Sequence, residues 1–210
     1  MENQQKVWNA VAKQWYHFRQ KSWSDVGKVL NLASIKWKKG KILDIGCGNC
    51  RNLLPFAEHN FECYGIDFSE EMLKHAKEFV KNHKIKADLK QAGAEKLPFK
   101  ENSFDYAISI AVLHHLNKKQ QLQALQEMKR VLKNRGKAII TVWNKWQGRF
   151  LFKKKEIFVP WHITEKVYQR YYYLFTYFEL KKLLKKSCFK ILYSKPFGKN
   201  LIFVVENNKI

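Results

Sequence analysis

The sequence predicts an α/β fold: a mostly parallel sheet of seven strands, with helices on both faces and an antiparallel hairpin at one edge. Two observations lead to this prediction. Short apolar runs alternate with segments of helical periodicity along most of the chain, as in parallel strands joined by helices. The first such run also ends in a glycine-containing turn that opens a helix, as in folds that bind an anionic ligand there. We expect residues 1–210 to form a single domain.

The first half of the chain is predicted to contain two helices followed by two strands. Residues 2–17 and 23–34 have helical periodicity. Buried strands are predicted at 41–48 and 61–68, with a helix between them. Ser69 is a suitable N-cap for the helix that follows the second strand, because its hydroxyl can accept a backbone N–H.

Three further strands are predicted up to residue 144. A weaker, more charged third strand covers 86–93, and an apolar fourth strand covers 104–113. A helix follows and is expected to end at Arg135-Gly136, since glycine commonly terminates helices. The fifth strand is predicted at 137–144.

The pattern changes after the fifth strand. Residues 145–175 are rich in aromatic side chains and lysine without a clean period, and we interpret them as an aromatic and basic insertion on the substrate side. Thr176 and Glu179 then have the spacing of a capping box at the start of a helix. Two final apolar runs predict an antiparallel pair of strands around Gly198.

Composition excludes several classes of protein. Apolar residues make up 46% of the 210 residues, which is too many for a disordered chain. No apolar run approaches the ~18 residues of a membrane span. The N-terminus lacks a secretory signal pattern, and four cysteines are too few for a disulfide scaffold. We therefore expect a reduced, cytoplasmic protein with no membrane partner.

The charge favours a polyanionic partner. Forty Lys and Arg residues stand against eighteen Asp and Glu, so the net charge is +22. Such a field suits nucleic acid better than an anionic membrane. The excess consists mainly of lysine, with only six arginines, so a codon bias toward lysine is an alternative explanation for part of it.

The turn after the first strand favours S-adenosylmethionine. Gly46 and Gly48 allow the backbone to approach a ligand closely. A dinucleotide fingerprint would have a third glycine where Arg51 stands, and a P-loop lysine is absent. Asp67 ends the second strand about twenty residues further on, where a carboxylate can accept hydrogen bonds from both hydroxyls of a ribose. The acidic Asp44 ahead of the glycines favours S-adenosylmethionine over NAD.

Four segments resemble, in order, the motifs of class I S-adenosylmethionine-dependent methyltransferases. They are KILDIGCGNC, YGIDFSEEML, AEKLPFKENSFDYAISIAVLHHL and RVLKNRGKAIITVW, and together they span residues 41–143. The resemblance implies a Rossmann-like class I methyltransferase fold with S-adenosylmethionine as cofactor. It also places Cys47 and Cys50 in the cofactor turn, so we expect no metal site.

Other features resemble one subfamily, the tRNA wobble-uridine methyltransferases that esterify 5-carboxymethyluridine, including the methyltransferase module of the AlkB-homologue enzyme. These features are Asn49 in GCGN, the string SIAVLHHL, Val142-Trp143, and the segments VPWH and RYYYLF. The resemblance implies a tRNA substrate. It also implies a small zinc-binding activator subunit that adds a strand to the sheet edge at the third strand.

The resemblance and the positions of the strand ends imply the following site residues. The N-terminal helices within residues 1–36 are expected to cover the cofactor. The expected cofactor-binding residues are Arg19, Asp44, Gly46, Cys47, Gly48, Asp67, Phe68, Ala94, Glu95, Ile110 and His115. The expected substrate-binding residues are Trp143, Asn144, Trp161, Arg170, Tyr172 and Asn200. Arg170, Asn144 and His114 are the candidate catalytic residues, the first two to orient a carboxylate and His114 to shuttle protons or line the pocket.

Three positions depart from the subfamily's pattern. Cys50 stands where glycine is usual, Gly93 replaces an aspartate beside the adenine, and Tyr173 replaces a histidine. With Gly93 in place of the acid, adenine recognition is expected to depend on backbone groups near Ala94 and Glu95.

The segment after the fourth strand indicates the type of acceptor. A carboxylate with a pKa near ~4 is ionised at neutral pH and needs no general base. The segment there reads Ala111-Val112-Leu113-His114 and lacks the D/N-P-P-Y motif of amino-methylating enzymes. Two alternatives remain open: a small-molecule O-methyltransferase, and a non-catalytic methyltransferase-like RNA-binding or scaffold protein.

Overall fold

Six α-helices and nine strands form residues 3–208, the part of the chain that the computed structural model describes. The helices are α1 (Gln4–Phe18), α2 (Ser24–Lys36), α3 (Leu54–Glu58), α4 (Glu70–Asn82), α5 (Lys118–Val131) and α6 (Tyr177–Lys186). The strands are β1 (Lys41–Ile45), β2 (Glu62–Asp67), β3 (Ala87–Gln91), β4 (Phe104–Ile110), β5 (Leu132–Trp143), β6 (Glu156–Ile163), β7 (Lys166–Tyr173), β8 (Phe189–Lys195) and β9 (Asn200–Asn207). The predicted helix start at residue 2, and residues 1, 209 and 210 of the predicted domain, lie outside this range.

Seven strands form one sheet, in the order β3-β2-β1-β4-β5-β9-β8. Strands β1 to β5 are parallel, and β9 is antiparallel to both β5 and β8. This confirms the predicted fold class, including the antiparallel hairpin at one edge and the third strand at the other. The strand order reverses between β1 and β4, so a crevice opens at the carboxyl ends of these strands.

The core lies on both faces of this sheet. Alternate residues of the central strands point to opposite faces. Leu43 and Ile140 belong to a buried cluster with α5 and α6, whereas Ile42 and Ile139 belong to one with α2 and α4. Because both faces are covered, the central strands are almost continuously apolar, and this made them recognisable in the sequence.

Two predicted boundaries are wrong. The fifth strand begins at Leu132 rather than at 137, and the helix before it ends at Val131 rather than at Arg135-Gly136. Leu132 pairs with Phe104 and Lys137 with Tyr106, so residues 133–136 form a bulge in the strand. The glycine that resembled a helix stop belongs to this bulge.

The fourth strand is also shorter than predicted. It ends at Ile110 rather than at 113. Ala111 has a φ of 62°, which turns the chain out of the sheet, and a 3₁₀ turn follows at Leu113–His115. His114 and His115 therefore lie on this turn rather than at the end of the strand.

Residues 145–175 contain a β-hairpin that the sequence analysis missed. Strands β6 and β7 pair over Glu156–Ile163 and Lys166–Tyr173 as a separate two-stranded sheet. Alternate residues of β6 are half-buried. Phe158 and Pro160 lie on the exposed side of β6, so apolar residues on both sides hid the two-residue period.

The N-terminal helix α1 lies against the hairpin and α4. Trp8, Val11 and Ala12 form a buried cluster with Met72, onto which Trp161 also packs. The side chain of Asn3 caps α1 by accepting the N–H of Gln5. Within residues 3–208, no helix is long and apolar enough to cross a membrane.

Candidate active site

A cavity of about 1660 Å³ opens at the carboxyl ends of β1, β2, β4 and β5. The hairpin β6–β7, helix α1 and the turn between β8 and β9 complete its walls. All the predicted site residues except Asp44 line it, although they come from segments spread between positions 19 and 200. The residues that the sequence analysis assigned to one site therefore lie together in the fold, with the exception of Asp44.

The glycine turn forms one wall of the cavity in a conformation that requires glycine. Gly46 and Gly48 have φ values of 73° and 55°. A Cβ atom on Gly46 would lie 2.5 Å from the side chain of Val112, and one on Gly48 would lie 3.0 Å from the ring of Trp15. A side chain at either position would therefore clash as well as strain the backbone.

Asp67 presents a buried carboxylate at the end of β2. It accepts the N–H groups of Gly48 and Ser69, each at 2.9 Å. Burial raises its pKa to about 6, and these two hydrogen bonds oppose the rise. The group is therefore a carboxylate at neutral pH, held against the glycine turn by the backbone.

Asp44 does not line the cavity, in contrast to the prediction that it binds the cofactor. It is fully buried, and neither carboxyl oxygen has a hydrogen-bond partner among the described residues. Burial raises its pKa to about 8, while the nearby Arg51 lowers it. Asp44 is therefore a largely protonated, buried acid at neutral pH.

The other predicted cofactor residues lie on the walls formed by α1, β2, β4 and the loop after β3. Arg19 ends α1, and its backbone carbonyl accepts the side-chain amide of Asn49 at 2.8 Å. This contact ties the helix to the glycine turn. Glu95 accepts the side-chain amide of Gln120 at 3.3 Å. Phe68, Ala94 and Ile110 contribute apolar surface.

His114 is a neutral hydrogen-bond donor in this cavity. Its Nδ1 atom accepts the backbone N–H of Trp143 at 3.0 Å, so the ring proton is on Nε2. The Nε2 atom is buried and has no partner within residues 3–208. Burial holds the pKa of His114 well below its usual range. Of the two roles predicted for His114, the structure places it in the lining of the pocket, whereas a ring that burial keeps neutral is unsuited to shuttle protons.

Among the described residues, Arg170 is one of two buried cations that line the cavity, the other being Arg51. Arg170 is 7% exposed, and its Nη1 atom donates to the hydroxyl of Tyr172 at 3.1 Å. Its guanidinium lies 4.5 Å from the ring of Trp161. The Nε atom is buried without a partner in the described chain. Burial lowers the pKa of Arg170, but a guanidinium stays protonated at neutral pH.

Tyr172 connects these groups. Its ring lies 5.2 Å from the ring of His114 and 4.4 Å from that of His115, and it stacks on Trp143 at 4.3 Å. Burial raises the pKa of Tyr172 to about 12, so the hydroxyl is neutral. His115 itself donates from Nδ1 to the carbonyl of Tyr171 at 3.1 Å, and burial lowers its pKa to about 3.

The two predicted substrate amides are already engaged in hydrogen bonds. Asn144 donates to the carbonyl of Gly198 at 3.1 Å and accepts the N–H of Trp146 at 3.0 Å. Asn200 donates to Asp25 at 3.3 Å. We therefore assign Asn144 a positioning role instead of the predicted catalytic one.

Sequence reasoning missed several aromatic and basic residues of the cavity. They include Trp8, Trp15, Trp146, Arg149, Phe178 and Phe197. Arg149 lies 4.3 Å from the ring of Trp143. The scarcity of arginine was the available signal for Arg149, because only six occur in the chain. No group of three or more His, Cys, Asp and Glu side chains that could hold a metal ion occurs within the described residues.

Comparisons with known proteins agree with this geometry. The sequence matches the methyltransferase domain family over residues 43–140. It is 30% identical over 174 residues to an Encephalitozoon cuniculi protein whose name places it among the methyltransferases, covering 79% of this chain and 77% of that protein. It is 28% identical over 214 residues to the tRNA (carboxymethyluridine(34)-5-O)-methyltransferase of Schizosaccharomyces pombe, covering 89% and 88% of the two chains.

A solved structure shows the same fold. The Burkholderia thailandensis 1,6-didemethyltoxoflavin-N1-methyltransferase, solved with 1,6-didemethyltoxoflavin and S-adenosylhomocysteine bound, is similar with a TM-score of 0.71 at 19% identity. The similarity covers 97% of this chain and 88% of that one. Motifs, strand order and relatives agree: this chain belongs to the class I S-adenosylmethionine-dependent methyltransferases.

Proposed function

We propose that this protein methylates the carboxylate of 5-carboxymethyluridine at the wobble position of tRNA, giving the methyl ester. One observation carries the proposal. Three residues that line the cavity have a buried donor without a partner in the described chain, namely the Nε atom of Arg51, the Nε atom of Arg170 and the Nε2–H of His114. Arg51 lies beside the glycine turn, whereas Arg170 and His114 lie together at Tyr172. A cation and a neutral N–H that both contact Tyr172 provide the donors a carboxylate acceptor requires.

The residues around the glycine turn fit S-adenosylmethionine. Asp67 would accept hydrogen bonds from the ribose hydroxyls, and Gly46 and Gly48 leave room for the backbone to approach the ligand. Arg19 lines the same wall and would pair with the carboxylate of the methionine moiety. When bound, the cofactor would supply a methyl group on a sulfonium, and transfer of that group to an oxygen of the acceptor would release the thioether S-adenosylhomocysteine.

The acidic residues of the cavity leave no evident general base. Asp25 pairs with Lys195 at 3.2 Å, Glu95 accepts from Gln120, and Asp67 accepts two backbone N–H groups. An acceptor that is already anionic needs no base, because its oxygen attacks the methyl carbon without releasing a proton. Catalysis then depends on alignment, for which Arg170 and His114 hold the acceptor.

The charge and the relatives support RNA as the carrier of this acceptor. The chain has a net charge of +22, and Arg149 lies exposed among the residues of the cavity. The Schizosaccharomyces pombe relative is named for methylating carboxymethyluridine 34 of tRNA. A small anionic metabolite would not require so large a positive field.

Nucleoside mass spectrometry tests the proposal. Purified protein is incubated with labelled S-adenosylmethionine and tRNA that carries 5-carboxymethyluridine. We expect the label in the wobble nucleoside, and we expect mild alkali to release it, because an ester hydrolyses whereas N-methyl and ribose methyl groups do not. Label that survives alkali would contradict a carboxylate acceptor.

A further inference from the structure

Three aromatic side chains form an exposed rim at the mouth of the active-site cavity. Trp146, Phe178 and Phe197 are 61%, 77% and 79% exposed, yet all three line the cavity. They come from the segment after β5, the first turn of α6 and the turn between β8 and β9. Large apolar side chains that converge in this way, without being buried, mark a binding surface.

Hydrogen bonds position two of the three rim segments relative to each other. Asn144 accepts the N–H of Trp146 and donates to the carbonyl of Gly198, next to Phe197. Gln147 reinforces this link by donating to the carbonyl of Lys199 at 3.3 Å. Phe178 sits on a capped helix start, where Thr176 and Glu179 exchange hydrogen bonds. Hydrogen bonds therefore hold the backbone of all three segments that carry the rim residues.

The charge at the rim is positive. Arg149 and Lys199 line the cavity together with the aromatic rings. Asp25, also in the lining, is paired with Lys195 and accepts from Asn200. Flat apolar rings interspersed with cations match single-stranded nucleic acid, whose bases stack while its phosphates meet the cations.

We propose that Trp146, Phe178 and Phe197 stack on the unpaired nucleotides that flank the acceptor nucleotide, with Arg149 and Lys199 against their phosphates. The proposal rests on the proposed function in taking RNA as the substrate, and it adds how the RNA is held. Arg170 and His114 lie deeper, so the acceptor base enters the cavity while its neighbours remain on the rim.

The test measures RNA affinity rather than methylation. A fluorescent anticodon stem-loop with unmodified uridine at the wobble position is titrated with wild-type protein and with the variants Trp146→Leu, Phe178→Leu and Phe197→Leu. Leucine keeps apolar volume but has no aromatic face. Phe152→Leu is the matched control, because Phe152 is 96% exposed and does not line the cavity.

We expect each rim variant to weaken binding about 10-fold, the range of one base–aromatic stack, and Phe152→Leu to change little. A second RNA with abasic sites beside the wobble position should bind wild-type protein weakly and should no longer distinguish it from the rim variants. Equal losses on the intact and abasic RNAs, or wild-type affinity in all three variants, would overturn the proposal. A failure of the proposed function would appear separately, as stem-loop binding without an alkali-labile product.

Discussion

The backbone N–H of Trp143 donates to Nδ1 of His114 at 3.0 Å, which links the end of β5 to the turn after β4. This bond determines the tautomer of the imidazole, since only Nε2 then carries a proton. His114 lines the cavity with its Nε2 atom buried, and burial keeps the ring neutral by holding its pKa low. The side chain of His114 therefore acts as a hydrogen-bond donor through Nε2–H, and it does not act as a base.

Replacing His114 by asparagine should raise KM more than it lowers kcat. Asparagine can still accept the N–H of Trp143, but it lacks the group at Nε2. A hydrogen bond to a charged acceptor contributes about 1.5–3 kcal/mol, so we expect KM for tRNA to rise about 10-fold or more. The acceptor loses negative charge in the transition state, so the lost bond weakens ground-state binding most.

Steady-state kinetics on carboxymethyluridine-containing tRNA, across pH 6.5–8, would test this. His59→Asn is the control, because His59 is exposed at the opposite end of the sheet. Since the pKa values of His114 and His115 both lie far below this range, neither group adds a rising limb to the profile. Two results together would instead show that His114 is a general base. The wild-type pH profile of kcat would have an apparent pKa near 7, and His114→Asn would lower kcat strongly and remove that pKa from the profile.

Asp67→Asn should weaken S-adenosylmethionine binding. The variant removes a charged acceptor that we place against the ribose hydroxyls, at a cost of about 1.5–3 kcal/mol. The pKa of Asp67 is about 6, so the carboxylate is protonated as the pH falls below 6 and wild-type affinity should fall with it. The amide variant should lack that pH dependence.

Calorimetric titration of S-adenosylmethionine at pH 5 and pH 7.5 provides the measurement. Asp88→Asn is a suitable control, because Asp88 is exposed on β3. If Asp67→Asn bound the cofactor as tightly as wild type at pH 7.5, the ribose assignment would be wrong.

Lys145→Met should destabilise the fold. The Lys145 side chain is almost buried, and its Nζ atom donates to the backbone carbonyls of Phe150, Leu151 and Lys153 at 2.6–3.2 Å. Losing a charged donor to three backbone carbonyls should lower the free energy of unfolding by about 2 kcal/mol, or about 4–8 °C in Tm. Thermal unfolding measures this effect, with the exposed Lys153 changed to Met for comparison. Equal Tm values for the two variants would contradict a structural role for Lys145.

RNA affinity should depend steeply on salt. Contacts between lysine or arginine and phosphate release counterions, so the logarithm of the association constant should fall linearly with the logarithm of salt concentration. Fluorescence anisotropy of tRNA between 50 and 200 mM KCl, roughly the range over which such slopes are resolved, measures it. A flat line would attribute the net charge of +22 to amino-acid usage rather than to RNA binding.

The free edge of β3 should accept a strand from a small zinc-binding subunit. Strand β3 lies at the edge of the sheet, so one side of its backbone is open to an added strand. Asp88 and Lys90 form an ion pair there at 3.3 Å, and such charges also protect an edge against unwanted pairing. We expect co-expression with candidate zinc-ribbon proteins to yield a heterodimer.

Leu89→Pro should abolish this heterodimer while cofactor binding persists, because proline removes a backbone donor from β3. Leu192→Pro is the matched control: Leu192 is partly exposed in the irregular part of β8, on the opposite edge of the sheet. Size-exclusion chromatography of the co-expressed pairs compares the two variants. Full activity on tRNA by the isolated chain would refute an obligatory partner.

The sequence by itself determined the succession of strands and helices in the main sheet, the glycine turn and Asp67 at the end of β2. These features follow from local signals: apolar runs of strand length, glycines at positive φ, and a polar residue where a strand ends. Together with the family resemblance, it also predicted part of the lining of the cavity, because the carboxyl ends of parallel strands meet at one edge.

Only the tertiary structure decided what each of those side chains does. The side-chain amide of Asn144 donates a hydrogen bond to the carbonyl of Gly198, 54 positions away in the sequence. The tautomer of His114 depends on the backbone N–H of Trp143, 29 positions away. The hairpin β6–β7 was hidden because apolar residues lie on both of its sides, one of which packs on α1, and the aromatic rim was hidden because its members come from three distant segments. Such relations depend on the three-dimensional approach of residues that no local pattern connects, so composition and periodicity carry no trace of them.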